Sequence, residues 1–515
     1  MKSTAKIVGL VMIIMFLSRL LSLVSSILYT AFYGNTLEMN IFSYAIQFPN
    51  TVFVIVGTSL VTVVIPVFAG YIGKGEKEKA FNFADNLIGL TLVVTIMLTV
   101  LGIILAPVFP LFTVFKLNGY GFAVAALRIM FPVMIFYGVN YILQGILQSM
   151  GRFNMTAFVS VPSSLVVILY VFILGNKYGV KGLLFATFIG LSFQALVLIP
   201  SVLKTGYRFR LSLNFRDEDI KRAFRLMLPV LVGTCAYQFN ILFNITMAAK
   251  YENTITIMAL VQNLILYSVL AFIYSITSVI FPHLTMLAAR NDMKNFKRSL
   301  SKVLKSIMFF LIPSTVGFVI VGSQLLNFLI AWGKMTTSDI SFATSVLSLY
   351  ALGIIGIGIK QVVDRAFYSL NDTKIPAAMG VVMMLVNITV SLILMQFIGV
   401  FGIPIANSIS VLLGAGLILC LLRRKIGSFG GRGILISAVK VSISSIVMLV
   451  VVLLLNYLLK SYVFSFELLD KVIKLFVPVA AGGAVYCLVA CLLKVEEAES
   501  VLNKAKAIFR IKQVY

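Results

Sequence analysis

Apolar stretches long enough to cross a lipid bilayer follow one another along almost the whole chain. A transmembrane helix needs about 20 mostly apolar residues, and only a helix satisfies its own backbone polar groups inside lipid without a partner strand. The pattern therefore predicts an all-α, polytopic membrane protein with 14 transmembrane helices. The predicted spans are 5–33, 41–71, 86–109, 122–149, 156–176, 180–203, 222–249, 256–288, 303–331, 340–369, 375–398, 402–422, 434–459 and 471–494.

The basic residues predict the orientation of these spans. The 515 residues are 60% hydrophobic and carry a formal net charge of +25. On a soluble protein that charge would point to nucleic acid, but here Lys and Arg lie in short loops, so no nucleic-acid partner is predicted. With the amino terminus inside, 30 of the 42 Lys and Arg residues lie on the cytoplasmic side, 9 lie on the opposite side and 3 fall within spans. This positive-inside excess predicts that both termini are cytoplasmic.

Two segments of the chain resemble each other, at residues 149–182 and 369–402. The aligned pairs are Ser149 and Ser369, Gly179 and Gly399, and Gly182 and Gly402, at an offset of 220, with Pro66 and Pro282 at an offset of 216. The pattern predicts two parallel six-helix repeats, an arrangement that transporters use for alternating access. The predicted division is an N-lobe at 1–204, a C-lobe at 205–425, and two extra C-terminal helices with a cytoplasmic tail at 426–515.

Polar residues inside spans are candidate functional groups because they are costly in lipid. Arg19 lies near the middle of the first span, beside Ser18, Ser22, Ser25 and Ser26. A guanidinium with hydroxyl donors would suit a diphosphate. The alternative is that Arg19 extends its head group towards the interface or pairs structurally.

Amides recur on helices 1, 2, 4, 7 and 8 and predict a hydrated cavity that accepts sugars, although hydrogen bonds between helices would also explain them. The predicted substrate-binding set is Arg19, Ser18, Ser22, Ser25, Ser26, Asn40, Gln47, Asn50, Gln144, Gln238, Gln262 and Asn263. Further along the chain, Lys360 and Asp364 are spaced to form a bracing ion pair, with gating or ion coupling as the alternative.

The cysteines and the sequence motifs give no indication of an enzyme. Cys235, Cys420, Cys487 and Cys491 are predicted to be small buried residues rather than metal ligands, since no His or acidic residue lies near them in the sequence. We find no nucleophile–base pair and no ATP-binding motif. The sequence therefore predicts no metal site, no cofactor and no primary pump in this chain.

Several stretches together resemble the MurJ family of the multidrug/oligosaccharidyl-lipid/polysaccharide (MOP) exporter superfamily. They include FLSRLLSLVSSILYTAFYG, FPNTVFVIVGTSLVTVVIPVFAGY, FPVMIFYGVNYILQGILQSMGRFNMTAF, AWGKMTTSD and FYSLNDTKIPA. The resemblance implies a V-shaped protein of the bacterial cytoplasmic membrane that moves lipid II, a polyprenyl-pyrophosphate glycolipid, to the outer leaflet. It also implies that the last two helices form a groove for the lipid tail, and it suggests cell-wall synthesis proteins as partners.

The sequence departs from that family where charged residues are expected in the cavity. The first-helix arginine is matched by Arg19, but the other charged positions fall on Ser25 and Ser26, Asn40, Phe53, and Gln262 and Asn263. This departure keeps three alternatives to lipid II transport open. The cargo could be another polyprenyl-linked glycan or a cationic drug, or the protein could be a scaffold for cell-wall synthesis that transports nothing.

The resemblance also suggests an energy source. Some members of the family are thought to bind sodium, and the matching positions here are Asn244, Asn387, Ser391 and Asn407. These residues provide no carboxylate, so a tight cation site is not expected. Membrane potential is the alternative, since moving one charge through 100 mV is worth about 2.3 kcal/mol.

Overall fold

The computed structural model describes residues 2–210, 212–214, 217–462 and 466–499, and these residues form helices and connecting turns without a β-strand. The α-helices are α1 Lys2–Tyr33, α2 Leu37–Gly73, α3 Lys77–Leu105, α4 Tyr120–Met130, α5 Val133–Ser149, α6 Phe153–Ala157, α7 Val161–Ile173, α8 Gly175–Leu203, α9 Glu218–Ala248, α10 Ile255–Ile265, α11 Ala271–Ala289, α12 Met293–Ile330, α13 Thr337–Ala351, α14 Ile354–Ser369, α15 Lys374–Ile398, α16 Gly402–Ile426, α17 Gly431–Lys460 and α18 Glu467–Leu492.

Among the described residues, 11 helical segments are long and apolar enough to cross a membrane. One of them, 374–426, contains both α15 and α16, which the 3₁₀ turn Gly399–Phe401 separates. These segments confirm the predicted all-α, polytopic membrane protein, whereas the number of 14 spans stays a prediction.

Several predicted spans are broken rather than continuous. The fourth is interrupted between α4 and α5, where Pro132 cannot donate a backbone hydrogen bond. The eighth passes through a π-helical turn at Leu266–Leu270, which lies between α10 and α11. Such turns loosen a helix locally and often occur at functional sites.

The internal repeat is visible in the backbone at the ends of helices. Each half ends its helices with left-handed residues at matching places, 216 to 221 positions apart. The pairs, with φ in parentheses, are Gly34 (73°) and Asn253 (56°), Gly75 (79°) and Asn291 (55°), Gly151 (73°) and Asn371 (57°), Gly179 (59°) and Gly399 (60°), and Gly206 (89°) and Gly427 (79°). Gly and Asn are the residues that tolerate this conformation best, so the backbone supports the repeat seen in the sequence.

Hydrogen bonds at these helix ends repeat as well. The N–H of Arg152 donates to the carbonyl of Leu147 at 2.8 Å, and the N–H of Asp372 donates to that of Phe367 at 3.0 Å. This six-residue closure is the Schellman arrangement that satisfies the last free carbonyls of a helix. The two closures lie 220 residues apart, the offset of the predicted repeat.

The described chain divides by packing into two compact units. The first unit runs through Asn263 and also contains Gly333–Thr336, and the second contains Leu264–Trp332 and the chain from Thr337 onward. In the first unit α9 packs against α2, so packing joins α9 to the helices of the first repeat. The predicted lobe boundary at 204 follows the sequence repeat instead and stays a prediction.

The core of the first unit includes buried side chains from α2, α3, α5, α8 and α9, such as Phe68, Leu87, Ile146 and Leu198. In the second unit α17 and α18 pack against α12, around Val441, Val452 and Leu475. Gly482 lies so close to α17 that a Cβ would come within 2.5 Å of Val452 Cγ2. Its role is therefore the close packing of α17 and α18.

The prediction that the cysteines are buried is wrong. Cys235, Cys420 and Cys487 are exposed and Cys491 is partly exposed. In a membrane protein an apolar side chain suits a helix face exposed to lipid as well as a protein core. Sequence hydropathy cannot separate these two environments, since both favour apolar residues.

Candidate substrate site and gate

Arg19 is exposed on α1, in the first unit. The guanidinium lies within electrostatic range of the Tyr141 phenol on α5. Arginine provides several donors in a fixed planar arrangement that matches phosphate oxygens. The predicted role of Arg19 in binding an anionic ligand stays a prediction.

The serines around Arg19 are engaged elsewhere in the first unit. Ser18 Oγ donates to the carbonyl of Ala157 at 2.9 Å, and Ser22 Oγ lies 3.1 Å from Ser164 Oγ. These contacts join α1 to α6 and α7. Hydroxyl hydrogen bonds of this kind are common between membrane helices, so they are sufficient to explain both serines. Their role in substrate binding stays a prediction.

Ser25 and Ser26 are buried at 5% exposure each, and Ser26 Oγ lies 3.3 Å from the Tyr29 hydroxyl. In this structure the two positions are enclosed by packing, which a small serine tolerates and an arginine does not.

A polar stripe on α5 faces away from the core. Tyr137, Tyr141, Gln144 and Gln148 follow one another at spacings of four, three and four and are all partly exposed. Gln144 Nε2 donates to Asn140 Oδ1 at 3.1 Å, which fixes the amide. The sequence analysis identified the amides but missed the two tyrosines, although their helical spacing was the signal that could have found them.

A second stripe lies on α2, which packs against α5. It consists of Gln47, Asn50, Val54 and Thr58, again at helical spacing, with Asn50 exposed and the others partly exposed. Gln47 and Asn50 thus share one accessible face of α2, and their role in substrate binding stays a prediction. Amide and phenol groups are the kinds of group that bind sugars and phosphates.

The resemblance to the family implies a charged residue at position 53, and the packing around Phe53 explains why none is present. Its side chain is fully buried, with Tyr137 stacked at 5.9 Å and Tyr141 at 6.0 Å between ring centroids. Gly57, one turn along α2, makes room for the Tyr141 ring, since a Cβ there would approach the ring to 2.4 Å. An arginine at 53 would leave a buried charge without an acid to pair with it. The aromatic cluster packs beneath the α5 stripe and supports its two tyrosines.

Asn40 ties the start of α2 to the start of α10. Its Nδ2 donates to Asn35 Oδ1 at 3.0 Å and to the carbonyl of Thr36 at 2.9 Å, and its Oδ1 accepts from the N–H of Thr256 at 3.1 Å. The residue is 1% exposed. The structure thus places Asn40 in a lock between two helix ends, and the predicted role in substrate binding is not needed to explain it.

Further contacts extend this lock. Asn35 Nδ2 donates to the carbonyl of Asn253 at 2.7 Å, and Ser43 Oγ lies 3.2 Å from Thr256 Oγ1. We call the set formed by 31–43, 253–256 and 333–334 the helix-end lock. It joins segments that are far apart in the sequence, and all of them belong to the first unit.

The third segment of the helix-end lock comes from the turn before α13. The N–H of Lys334 donates to the carbonyl of Ala31 at 2.7 Å. Gly333 lies against the same carbonyl so closely that a Cβ would be 1.9 Å from it. Only glycine fits at this contact.

Polar groups on α9 lack partners among the described residues. Gln238 and Asn244 are buried, and the side-chain oxygens of Asn240 and Asn244 accept no hydrogen bond. A buried acceptor without a donor costs about 1–3 kcal/mol, so these oxygens favour a water or hydroxyl group. Gln262 and Asn263, at the end of α10, are partly buried just before the π turn.

In the second unit, Lys360 and Asp364 form an ion pair within α14 at 2.6 Å. Asp364 is 13% exposed, and its second oxygen has no partner among the described residues. Arg365 lies 5.4 Å above the Phe281 ring of α11. The predicted pair is present, and its role in gating or ion coupling stays a prediction.

Asn387 and Ser391 lie one turn apart on α15 and are fully buried. Both polar atoms of Asn387 and the Ser391 hydroxyl lack hydrogen-bond partners among the described residues. Neutral oxygens suit a weakly held monovalent cation, whereas tight binding needs carboxylates. Asn407, on α16, is partly buried. The predicted role of Asn244, Asn387, Ser391 and Asn407 in holding a sodium ion stays a prediction.

The structure resembles solved transporter structures over most of its length. It covers 98% of a structure titled "Lipid II flippase MurJ, inward closed conformation", with 94% of this chain matched, a TM-score of 0.77 and 21% identity. It covers 96% of a multidrug resistance MATE family transporter of the MOP superfamily in an inward-facing conformation, with 80% of this chain matched, a TM-score of 0.67 and 16% identity. The fold is that of the MOP-superfamily transporters.

Sequence comparison narrows this class to one family. The family model described as "Lipid II flippase MurJ" matches residues 29–473, so the chain belongs to the MurJ family. It is 24% identical to the probable lipid II flippase MurJ of Rickettsia prowazekii, over 93% of this chain and 96% of the relative. It is also 24% identical to the lipid II flippase MurJ of Thermosipho africanus, over 88% of this chain and 91% of the relative.

Proposed function

We propose that this chain is a lipid II flippase of the bacterial cytoplasmic membrane, oriented with both termini in the cytoplasm. The observation that carries the proposal is the match of the MurJ family model to 29–473, on a chain whose helices build a MOP-superfamily fold. A flippase moves its cargo without a covalent step, so no catalytic residue is required.

Arg19 and the two polar stripes form the head-group site in this proposal. The guanidinium binds the diphosphate, and the amides and phenols of α2 and α5 hydrogen-bond to the sugars. A single arginine holds a diphosphate less tightly than several would. Release to the other leaflet is then easier, which favours turnover over tight binding.

The helix-end lock acts as the gate at the outer side. For a head group to leave on that side, the hydrogen bonds of the helix-end lock have to break. Each is worth about 1 kcal/mol net, so opening costs a few kcal/mol, a difference that ligand binding can supply. The driving force in this proposal is either the membrane potential or a monovalent cation held by Asn387 and Ser391.

A rescue experiment tests the proposal. A bacterium depleted of its own lipid II flippase should grow when this chain is expressed, and lipid II should become accessible at the outer leaflet. Arg19→Ala should abolish rescue and Arg19→Lys should retain part of it. Arg290→Ala, which removes an exposed arginine after α11, serves as the matched control and should rescue fully.

The same experiment separates the alternatives. Growth without outer-leaflet lipid II would favour a cell-wall scaffold, and a scaffold would also tolerate Arg19→Ala. Exposure of a different polyprenyl-linked glycan would identify another cargo. Resistance to cationic compounds without rescue would point to a drug exporter.

A further inference from the structure

A pocket of about 340 Å³ opens between three helices of the second unit, at the end where α17 stops and α18 starts. Its lining consists of Gln324 from α12, Asn456, Tyr457, Leu459 and Lys460 from α17, and Lys474 from α18. The proposed head-group site uses none of these residues. By the predicted topology this end of the helices faces the outside of the cell.

The pocket carries an excess positive charge. Lys474 pairs with Asp470 at 2.8 Å, and the neighbouring Lys471 pairs with Glu467 at 2.6 Å. Lys460 forms no ion pair with any residue that the structure describes. Lys460 is therefore left to attract an anion. Lys474, which also lines the pocket, is partly neutralised by Asp470.

The pocket also contains a hydrogen-bond acceptor that lacks a donor. Gln324 Oε1 is buried and accepts no hydrogen bond from the described part of the chain. A buried acceptor left unpaired is costly, so a hydroxyl group on the ligand would stabilise the complex. An anion that also carries hydroxyl groups fits this combination of lysine, amide and orphaned carbonyl oxygen.

The surroundings of the pocket suit a lipid better than a soluble anion. Tyr457 is 74% exposed, and the apolar side chains of Leu458, Phe476 and Val477 are exposed on the same two helices. Exposed apolar surface of this kind on a membrane protein is covered by acyl chains. A basic pocket between membrane helices is a recurring form of lipid head-group site.

The size of the pocket restricts the head group. A volume of about 340 Å³ lies at the lower end of the range of ligand pockets, roughly 300–1,000 Å³. This volume holds a phosphate with a glycerol unit. It does not hold a disaccharide that carries a peptide.

We propose that this pocket binds the head group of an anionic glycerophospholipid with free hydroxyl groups, of the phosphatidylglycerol type. Lys460 and Lys474 bind the phosphate, Asn456 donates to it, and a glycerol hydroxyl donates to Gln324 Oε1. The bound lipid holds α17 and α18 against α12. The inference does not depend on which cargo the protein moves.

Native mass spectrometry of the full-length protein tests this inference. The protein is titrated with phosphatidylglycerol, with phosphatidylmethanol, which has the charge without the hydroxyls, with zwitterionic phosphatidylcholine, with glycerol 3-phosphate and with a polyprenyl diphosphate. We expect phosphatidylglycerol to bind best. Lys460 contacts the phosphate directly in this proposal, and a hydrogen bond to a charged group is worth about tenfold or more in affinity, so Lys460→Gln should lose that factor.

Two variants sharpen the result. Lys471→Gln removes the same charge from α18 without lining the pocket and should leave binding unchanged. Gln324→Leu should remove the preference for phosphatidylglycerol over phosphatidylmethanol. Equal binding of phosphatidylcholine, or an equal loss in Lys471→Gln, would overturn the proposal. Stronger binding of glycerol 3-phosphate or of polyprenyl diphosphate would assign the pocket to a soluble anion or to the cargo instead.

Discussion

The side-chain oxygen of Asn40 accepts a hydrogen bond from the backbone N–H of Thr256, 3.1 Å away and 216 residues along the chain. That offset equals the repeat offset of Pro66 and Pro282, so the bond joins corresponding regions of the two repeats. The amide oxygen of Asn40 accepts from the backbone at the start of α10. Its nitrogen donates to Asn35, in the turn after α1, and to Thr36, just before α2. Opening the helix-end lock therefore breaks several bonds at once.

Asn40→Ala should weaken this lock. The N–H of Thr256 would lose its acceptor in a buried place, at a cost of about 1–3 kcal/mol. We expect a cysteine placed at Ser43, which is buried in the closed lock, to label faster with a membrane-impermeant reagent in this variant. Asn118→Ala, on an exposed turn, is the control and should leave labelling unchanged. Equal labelling in both variants would show that Asn40 does not hold the lock closed.

Gly333→Ala should prevent closure for a steric reason. The new Cβ would lie 1.9 Å from the carbonyl oxygen of Ala31, so the two segments have to separate. We expect faster labelling of a cysteine at the buried Ser43 and a lower thermal stability. Gly121→Ala is the control because nothing lies near its Cβ position, and alanine in a helix is, if anything, stabilising. Unchanged labelling and stability in Gly333→Ala would refute the close contact.

Asp85→Ala should release the loop before α9. Asp85 Oδ1 accepts from the Tyr207 hydroxyl at 2.6 Å and from the N–H of Arg210 at 2.9 Å. Burial, with a smaller contribution from Asp85, raises the pKa of Tyr207, which keeps its hydroxyl a donor. Without the carboxylate the buried hydroxyl of Tyr207 and the N–H of Arg210 both lose their acceptor.

Protease cleavage within 204–217, measured on inverted membrane vesicles, reports the release of this loop. We expect cleavage at least several-fold faster in Asp85→Ala and an intermediate rate in Tyr207→Phe, which removes one bond only. A cleavage rate equal to that of the unsubstituted chain would show that Asp85 does not anchor the loop.

The ion pair of Asp372 with Lys425 should make stability depend on pH. The hydrogen bond from Lys425 lowers the pKa of Asp372 below its usual value, which is about 3.9 in an unfolded chain. The pair therefore contributes stability above that pH and loses it as the pH falls through the folded pKa. We expect Lys425→Gln to melt at a lower temperature than the unsubstituted protein at pH 7, and the difference to shrink progressively as the pH falls below about 3.9. A gap that persists in acid would contradict the assignment.

The sequence predicted the features that depend on local pattern. Helix class follows from apolar length, and the repeat follows from aligned glycines such as Gly179 and Gly399, which indeed share a backbone conformation. Arg19 was found because a charge in a span is rare. None of these inferences requires knowledge of which helices pack together.

The features that sequence reasoning missed depend on packing between distant segments. Asn40 has the composition of a cavity residue, and only its contact with 253–256 shows that it locks helix ends. Phe53 looks like a lost cation until Tyr137 and Tyr141 are seen around it. The exposed cysteines were misjudged because lipid and protein core favour the same apolar residues.

Transport by the purified protein tests the central claim most directly. The chain is reconstituted into liposomes that carry fluorescent lipid II in the inner leaflet, and the outward movement is followed with an impermeant quencher. We predict that quenching rises well above that of empty liposomes and that Arg19→Ala reduces it to near background while Arg290→Ala does not. Quenching equal to that of empty liposomes, from a folded protein and under an imposed membrane potential or a sodium gradient, would contradict the account.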